Sequence, residues 1–505
     1  MTNLLFDALT ATAPERLWIE TPDGRRLTYG GLYALTARLA RVLVAAGVAP
    51  GDRVASNVDK SPEALALYLA VVRAGGVYLP LNTAYTAAEL AYFLGDAAPA
   101  VFVTDPARAD EATALTAAAG RSCAVETLGA DGRSGSLLQR AAGLADAFDT
   151  VPRGPDDLAA ILYTSGTTGR SKGAMLSHRN LLSNARLLKD VWRFTADDVL
   201  LHALPVYHTH GLFVASNILA LAGGSMIFLP RFEAAAVLDA LPRATAMMGV
   251  PTFYTRLVRE PRFNRQTTAH LRLMISGSAP LLAQTHAEVE ALTGHRVLER
   301  YGMTETNMNT SNPYEGARVA GTVGPPLPGV DLRITDPETG AALPAGAIGM
   351  IEVRGENVFR GYWRQPEKTA AEFRADGFFI TGDLGVVGND GYVTIVGRGK
   401  DLIITGGFNV YPKEVEEEID ALPGVIESAV IGLPHPDFGE GVTAVVAVEP
   451  GADLSEKGVI SALEARLAPF KRPKRVLLVE SLPRNAMGKV QKAQLRQQHA
   501  GLYAG

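Results

Sequence analysis

The chain has 505 residues, with 48 Lys plus Arg against 53 Asp plus Glu, a formal net charge of -5, 47% hydrophobic and 20% charged residues. That length exceeds a single hydrophobic core and predicts two or more domains of ordinary globular composition. The near balance of charge argues against general nucleic-acid or membrane-surface binding, and one cysteine, Cys123, excludes a disulfide within the chain and fits a reducing compartment.

The opening MTNLLFDALT contains an acid and lacks both a basic start and a sustained apolar run, so it does not read as a signal peptide. No stretch reaches about 18 uninterrupted apolar residues, which leaves no expected membrane span and the cytoplasm as default location. YGGLYALTARLARVLVAAG has helical spacing, with Gly47 as its C-cap. DRVASNV predicts a strand, and SPEALALYLAVVRAGG a helix with Ser61 as N-cap and Pro62 at the first helical position. The alternation recurs through PAVFVTD, GSMIFLP and LRLMISG, predicting α/β sheets covered by helices. The Ala/Gly-rich TALTAAAGRSCAVETLGADGRSGS predicts a helix and a mobile surface loop.

In residues 161–178, ILYTSGTTGRSKGAMLSH, an apolar lead-in is followed by Thr164, Ser165, Gly166, Thr167, Thr168, Gly169, Arg170, Ser171 and Lys172. Such a loop offers hydroxyls, backbone N–H groups and cations to a polyphosphate, and its glycines permit close approach. It is not a Walker A loop, because Ser171 precedes the lysine and Gly173 follows it. Taken alone, the composition also suits an ordinary surface turn.

PVYHTHG places His208 and His210 two residues apart, a weak metal pair because no further Cys/His cluster accompanies it. Beyond it lie MMGVPTFYTRLV (247–258), SGSAP (276–280) and YGMTE (301–305). Around 321–400 short strands between glycine turns (VDLRITD, IGMIEVRG, GYVTIVGRG) predict an antiparallel β subdomain. After GRGKD the pattern resets: YPKEVEEEIDAL predicts a helix, VIESAVIGLP and VTAVVAVEP strands, SEKGVISALEARLAP a helix and RVLLVESLP a strand, an α+β module of roughly a hundred residues. The closing PRNAMGKVQK, on composition alone, is a solvated tail.

YTSGTTGRSKG, followed in order by YGMTE, TGD (381–383), GRGKD (397–401), GGFNVYPKEVE (406–416) and PRNAMGKV (483–490), resembles the motif series of the adenylate-forming superfamily over most of the chain. The resemblance implies an α/β N-terminal AMP-binding domain of two sheets plus a small β subdomain over 1–399, and a mobile α+β lid over 400–505. It implies a carboxylate attacking the α-phosphate of ATP to give an acyl-adenylate, then attack by the thiol of coenzyme A, with catalysis by positioning and electrostatic stabilisation.

On this resemblance Thr164, Ser165, Gly166, Thr167, Thr168, Gly169 and Lys172 cradle the phosphates, and Glu305 is the Mg²⁺-associated carboxylate, a hard oxygen ligand as that ion requires. Thr304 contacts the α-phosphate, and Tyr301 with Gly302, Ser278, Ala279 and Pro280 lines adenine. Asp383 accepts the ribose hydroxyls and Arg398 supports the nucleotide from the hinge side; without the resemblance Asp383 is equally a turn aspartate after a strand. Lys489 is the catalytic lysine of the lid, Lys400 the hinge, and Gly406 and Gly407 the face along which pantetheine reaches the adenylate. His208 stands at the mouth of the acyl pocket, while His210 is structural.

Over nearly its whole length the chain is similar to the malonate-activating branch of that superfamily, which implies that Arg256 holds the distal carboxylate. From spacing alone Arg256 faces either inward or toward solvent and Glu260. Thr209, Met308 and Ser276 complete the pocket, and the first two narrow it enough to make methylmalonate a poorer substrate. Another short or aromatic acid is the alternative substrate. FKRPKR (470–475) is either a solvated approach to a strand or a contact for the phosphates of coenzyme A. Malonate, ATP and coenzyme A are the expected partners, together with a protein acetyltransferase acting on Lys489, with no nucleic acid or membrane, in a monomer or weak dimer.

Overall fold

The computed structural model describes residues 2–118, 122–164, 171–406, 408–464, 466–485 and 488–503. Among them four sheets organise the chain. The first has six strands in the order Ala124–Thr127, Val101–Thr104, Arg53–Asn57, Val77–Pro80, Leu158–Thr164, Lys172–Ser177. Its strands are parallel apart from the last pair, a hairpin in which Thr164 faces Lys172. The described ends of the phosphate-loop motif, Thr164 and Lys172, are therefore paired strand residues; Ser165, Gly166, Thr167, Thr168, Gly169 and Arg170 lie outside the described residues.

The second sheet has eight strands. Its central strands Ser225–Phe228, Val199–His202, Ala246–Gly249, Leu273–Ser276 and Leu298–Met303 are parallel. They bring His202, Gly249, Ser276 and the stretch from Arg300 onward to one edge, the carboxyl end where open α/β sheets place ligands. Leu298–Met303 then folds back on Asn307–Ser311 through a turn whose Asn307 has φ +51, a left-handed conformation asparagine tolerates. Gly302 is required there, because a Cβ would lie 1.9 Å from the Asn307 carbonyl oxygen.

The antiparallel subdomain contains Asp331–Thr335, Gly349–Arg354, Phe379–Val387 and Val393–Arg398. Asp383 lies inside Phe379–Val387 rather than in a turn, and its cross-strand partner is Arg398. After the turn Gly399–Asp401, a five-stranded sheet is built on Gly439–Val448 and Val425–His435. Its two apolar clusters, one around Ile403, Val415 and Val446 and the other around Ile431, Val445 and Leu495, draw only on residues beyond 402.

Most local expectations hold for direct physical reasons. Ser61 Oγ accepts from the Ala64 N–H at 3.1 Å and Pro62 opens the helix Pro62–Arg73, while Gly47, at φ +98, follows the helix Tyr29–Ala45. Two differ. The Ala/Gly-rich stretch contains the strand Ala124–Thr127, held by parallel pairing to Val101–Thr104, so tertiary pairing overrides its weak local pattern. The lid helix predicted across SEKGVISALEARLAP is helical only over Glu456–Ala462.

Candidate active site

Four groups of side chains converge where the carboxyl edge of the second sheet meets the antiparallel subdomain. In the first, Tyr301 donates to Asp383 Oδ2 at 2.5 Å, and Arg398 Nε lies 2.8 Å from Asp383 Oδ1. The Asp383 N–H donates to Thr381 Oγ1 at 3.1 Å. Asp383 is buried, and its charge raises the Arg398 pKa; burial and the same carboxylate hold the Tyr301 phenol well above its ordinary value. The result is a fixed carboxylate beside an aromatic ring, suited to a ribose and a base.

The second group joins the hairpin to the YGMTE turn. Lys172 Nζ lies 3.1 Å from Glu372 Oε1 and 4.4 Å from the centroid of the Tyr362 ring. The Tyr362 hydroxyl stands 2.6 Å from Glu372 Oε2 and 3.1 Å from Glu305 Oε1. The Tyr362 hydroxyl thus links the two carboxylates, and Glu305 is a buried acid whose pKa burial pushes up. Among the described residues no three His, Cys, Asp or Glu side chains gather to hold a metal. A lone buried carboxylate such as Glu305 would suit Mg²⁺, a hard cation bound through one or two protein carboxylates. Thr304 and Thr164 are half-buried.

The third group is the acid end. His208 and His210 flank the buried Thr209, and Ser278, at φ +73, has its hydroxyl 3.3 Å from His210 Nδ1. Non-glycine residues held in this region of φ concentrate at functional sites. Arg300, 4% exposed, lies against Gly277, where a Cβ would come within 2.4 Å of its guanidinium carbon. Burial lowers the Arg300 pKa to about 9, and burial followed by Arg300 and Lys489 lowers that of His208 to about 4. Nε and Nη2 of Arg300, Oγ1 of Thr209, Nε2 of His210 and Oγ of Ser276 are all buried without a hydrogen-bond partner. Unpaired buried polar atoms are costly, and two on the Arg300 guanidinium with three more on Thr209, His210 and Ser276 mark a place built for an anionic, hydrogen-bonding ligand.

Arg256 does not belong to that group. It is exposed in the last turn of the helix Pro251–Leu257, which turns Phe253, Tyr254 and Leu257 inward. Met308 is buried with its side chain toward Gly302, while Ala279 is half-buried and Pro280 exposed.

The fourth group comes from beyond residue 402. Lys489 is exposed to solvent within the cleft, yet protein surrounds its ammonium closely enough that burial lowers its pKa, followed by repulsion from Arg398 and Lys400 and opposed by Asp383 and Asp401. Gly488 packs on Thr252, since a Cβ there would lie 3.3 Å from Thr252 Oγ1. Arg484 holds both the Gly488 carbonyl and Glu427, closing the loop that presents Lys489. Lys400 is exposed in the Gly399–Asp401 turn, where Arg496 pairs with Asp401. Gly406, at φ +58, is exposed and donates its N–H to the Phe438 carbonyl at 2.8 Å; Gly407 lies outside the described residues.

Reading the sequence missed Arg300, Tyr362 and Glu372. Arg300 had a visible signal, a cation inside the otherwise inward-facing VLERYG strand. Glu372, in a short helix with no motif around it, had none.

The AMP-binding enzyme family matches residues 6–363, and the AMP-binding enzyme C-terminal domain matches residues 414–489. A malonate–CoA ligase from Arabidopsis thaliana is 35% identical, covering 94% of this chain and 85% of its own length. A feruloyl-CoA synthase from an Amycolatopsis species is 38% identical over 94% of each chain. The crystal structure of ATP-bound MatB from Rhodopseudomonas palustris is 64% identical over 100% of both chains, with a TM-score of 0.98.

Proposed function

The chain belongs to the AMP-binding enzyme family, and from that membership we propose that it is an AMP-forming acid–thiol ligase joining malonate to coenzyme A through a malonyl-adenylate. ATP and coenzyme A are its co-substrates, with Mg²⁺ at Glu305. The observation that carries the choice of acid is Arg300, a buried guanidinium with two unpartnered nitrogens beside unpartnered Thr209 and Ser276 hydroxyls. A planar cation with free donors suits a carboxylate, and the second carboxylate of a short diacid supplies one. An apolar aromatic acid would leave those donors unsatisfied.

In this reading Asp383 and Arg398 hold the ribose, Tyr301, Gly302, Ser278, Ala279 and Pro280 line adenine, and Lys172 with Thr164 faces the phosphates. Thr304 stands at the α-phosphate. Lys489 spans the α-phosphate and the attacking carboxylate, and neutral His208 shapes the mouth of the acid pocket. Thr209 and Met308 bound the space beside the malonate methylene, which makes methylmalonate the poorer substrate. We place the domain boundary at Lys400, as the hinge between 1–399 and 400–505, supported by apolar clusters confined to residues beyond 402. Gly406 and Gly407 serve pantetheine after the lid turns. FKRPKR meets the phosphates of coenzyme A in this reading, with Lys474 as the cation for it, since Lys471 pairs with Glu414 and Arg475 with Glu456.

No described helix is long and apolar enough to cross a membrane. A cytoplasmic location, and a monomer or weak dimer, complete the proposal; sedimentation of the purified chain reads the second. Acetylation of Lys489 by a protein acetyltransferase would remove its charge, and intact mass together with activity after treatment checks it.

The test is pyrophosphate release across a panel of acids. Malonate is expected to give the highest kcat/KM, methylmalonate a lower one, and acetate, benzoate and ferulate little. Turnover of ferulate or acetate above malonate overturns the assignment. Because Arg256 is exposed, Arg256→Ala is expected to leave the malonate KM within about twofold, as surface substitutions usually do. A large rise in that KM, with the ATP KM unchanged, would restore the sequence reading of Arg256.

A further inference from the structure

The acid-binding turn rests on a pair, half-buried Lys60 and buried His202, that neither the motifs nor the mechanism uses. Lys60 lies between the strand Arg53–Asn57 of the first sheet and the helix Pro62–Arg73. Its ammonium reaches across to the second sheet, 2.9 Å from His202 Nδ1 and 2.8 Å from the His202 carbonyl oxygen, and 4.2 Å from the centroid of the Phe228 ring. Among the described residues no carboxylate pairs with Lys60. A lysine without an acid partner in such surroundings is costly to keep unless its geometry matters.

The geometry has a direction. An ammonium can only donate, so His202 Nδ1 accepts and the imidazole carries its proton on Nε2. That nitrogen lies 2.9 Å from the Gly211 carbonyl oxygen, which also receives the Ser216 hydroxyl at 3.0 Å. Gly211 sits in the π-helical segment His210–Ala215, and a Cβ there would lie 2.1 Å from the Pro205 carbonyl oxygen, so the turn has no slack. π-Helical turns leave the ordinary ladder of carbonyl partners and are frequent at functional sites. Here side chains fill the partner's place. The Leu212 N–H in turn donates to the His208 carbonyl at 2.9 Å, so the position of Gly211 is passed directly to the His208–His210 turn.

We propose that Lys60 and His202 are positioning residues for the acid pocket: through the Gly211 carbonyl they set where His208, Thr209 and His210 stand opposite Arg300, and thereby the pocket's affinity and selectivity for a small diacid. This rests on the reading of Arg300 as the holder of the distal carboxylate. The chemical step does not pass through either residue. Both lie in the support behind the pocket, and their effect falls on the acid and not on the nucleotide.

Steady-state kinetics and melting temperature of full-length Lys60→Met, His202→Phe and His202→Gln test this. Loss of one hydrogen bond of ordinary net strength corresponds to about a tenfold change. Lys60→Met and His202→Phe are therefore expected to raise the malonate KM about tenfold and narrow the preference for malonate over methylmalonate, with the ATP KM unchanged. His202→Gln, which keeps an N–H donor for the Gly211 carbonyl, is expected to recover part of the loss. His202→Phe keeps an aromatic ring against Phe228, whose centroid lies 5.0 Å from that of His202, so a folded variant remains available if Lys60→Met fails to fold. A lowered melting temperature with both KM values and the acid preference unchanged overturns the proposal, as does an equal rise in both KM values. Arg300→Met separates the two readings. If it spares malonate, the assignment of the pocket fails; if it removes malonate binding while the Lys60 and His202 variants do not, only the positioning role fails.

Discussion

Lys489→Ala is expected to slow adenylate formation by about 10²–10³-fold, the usual cost of removing one preorganised electrostatic group, and to leave thioester formation from supplied malonyl-adenylate within a few-fold of the parent. The physical basis is the place of the ammonium. Its neighbours are Asp383, Arg398, Lys400 and Asp401, and the loop that carries it packs through Gly488 on Thr252. A positive charge there meets the negative charge that builds as a carboxylate attacks a phosphate. In water it would be worth little; in a cleft where burial already lowers its pKa, it is worth much more. Its pKa is lowered, so its charge is lost at lower pH than an ordinary lysine's, and the adenylation rate should fall on the alkaline side accordingly. In the proposed reading thioester formation uses another lid orientation, with Lys489 withdrawn. Pyrophosphate exchange reads the first half-reaction, and single-turnover transfer to coenzyme A reads the second. Equal losses in both would mean that the alanine variant perturbs the fold rather than the step.

Tyr301, Asp383 and Arg398 stand in ordered strings of the sequence, and the structure brings these three side chains together. Asp383 and Arg398 are 15 positions apart yet face each other across two paired strands. That pairing follows from the hairpin pattern once Phe379–Val387 is seen to be a strand. The acid end was harder. Arg256 and Arg300 both stand in motif-rich stretches, and only geometry separates them. In the helix Pro251–Leu257 the buried Phe253, Tyr254 and Leu257 fix one face, and position 256 falls off it. In Leu298–Met303, part of a sheet covered on both sides, Leu298, Glu299 and Arg300 are all buried. A charge inside such a strand was the available signal, since charged residues are seldom buried without purpose. Glu372 and His202 could not be reached in this way. Their partners, Lys172 and Lys60, lie 200 and 142 residues away, and nothing in the local pattern announces either contact.

Arg300→Met should cost malonate about 10²-fold in kcat/KM, the range expected when a charged hydrogen-bonding partner is lost from a buried site, while the ATP KM stays close to the parent value. Methionine nearly matches the volume of the arginine stem, so the stem's packing is kept while the guanidinium that lies against Gly277 is lost. The sign of the selectivity change is the stronger test. In the parent, a monocarboxylic acid entering the pocket leaves Arg300, Thr209 and Ser276 without partners, a penalty malonate avoids. Removing the guanidinium removes most of that penalty, so butyrate should gain while malonate, now carrying an unpaired buried carboxylate, loses. A uniform loss for all acids would point instead to a role for Arg300 in placing His208 and His210, whose ionisation it already opposes. Lysine at 300 distinguishes charge from shape. It keeps the cation but offers no planar fork, so Arg300→Lys should restore part of the malonate affinity and little of the discrimination against methylmalonate.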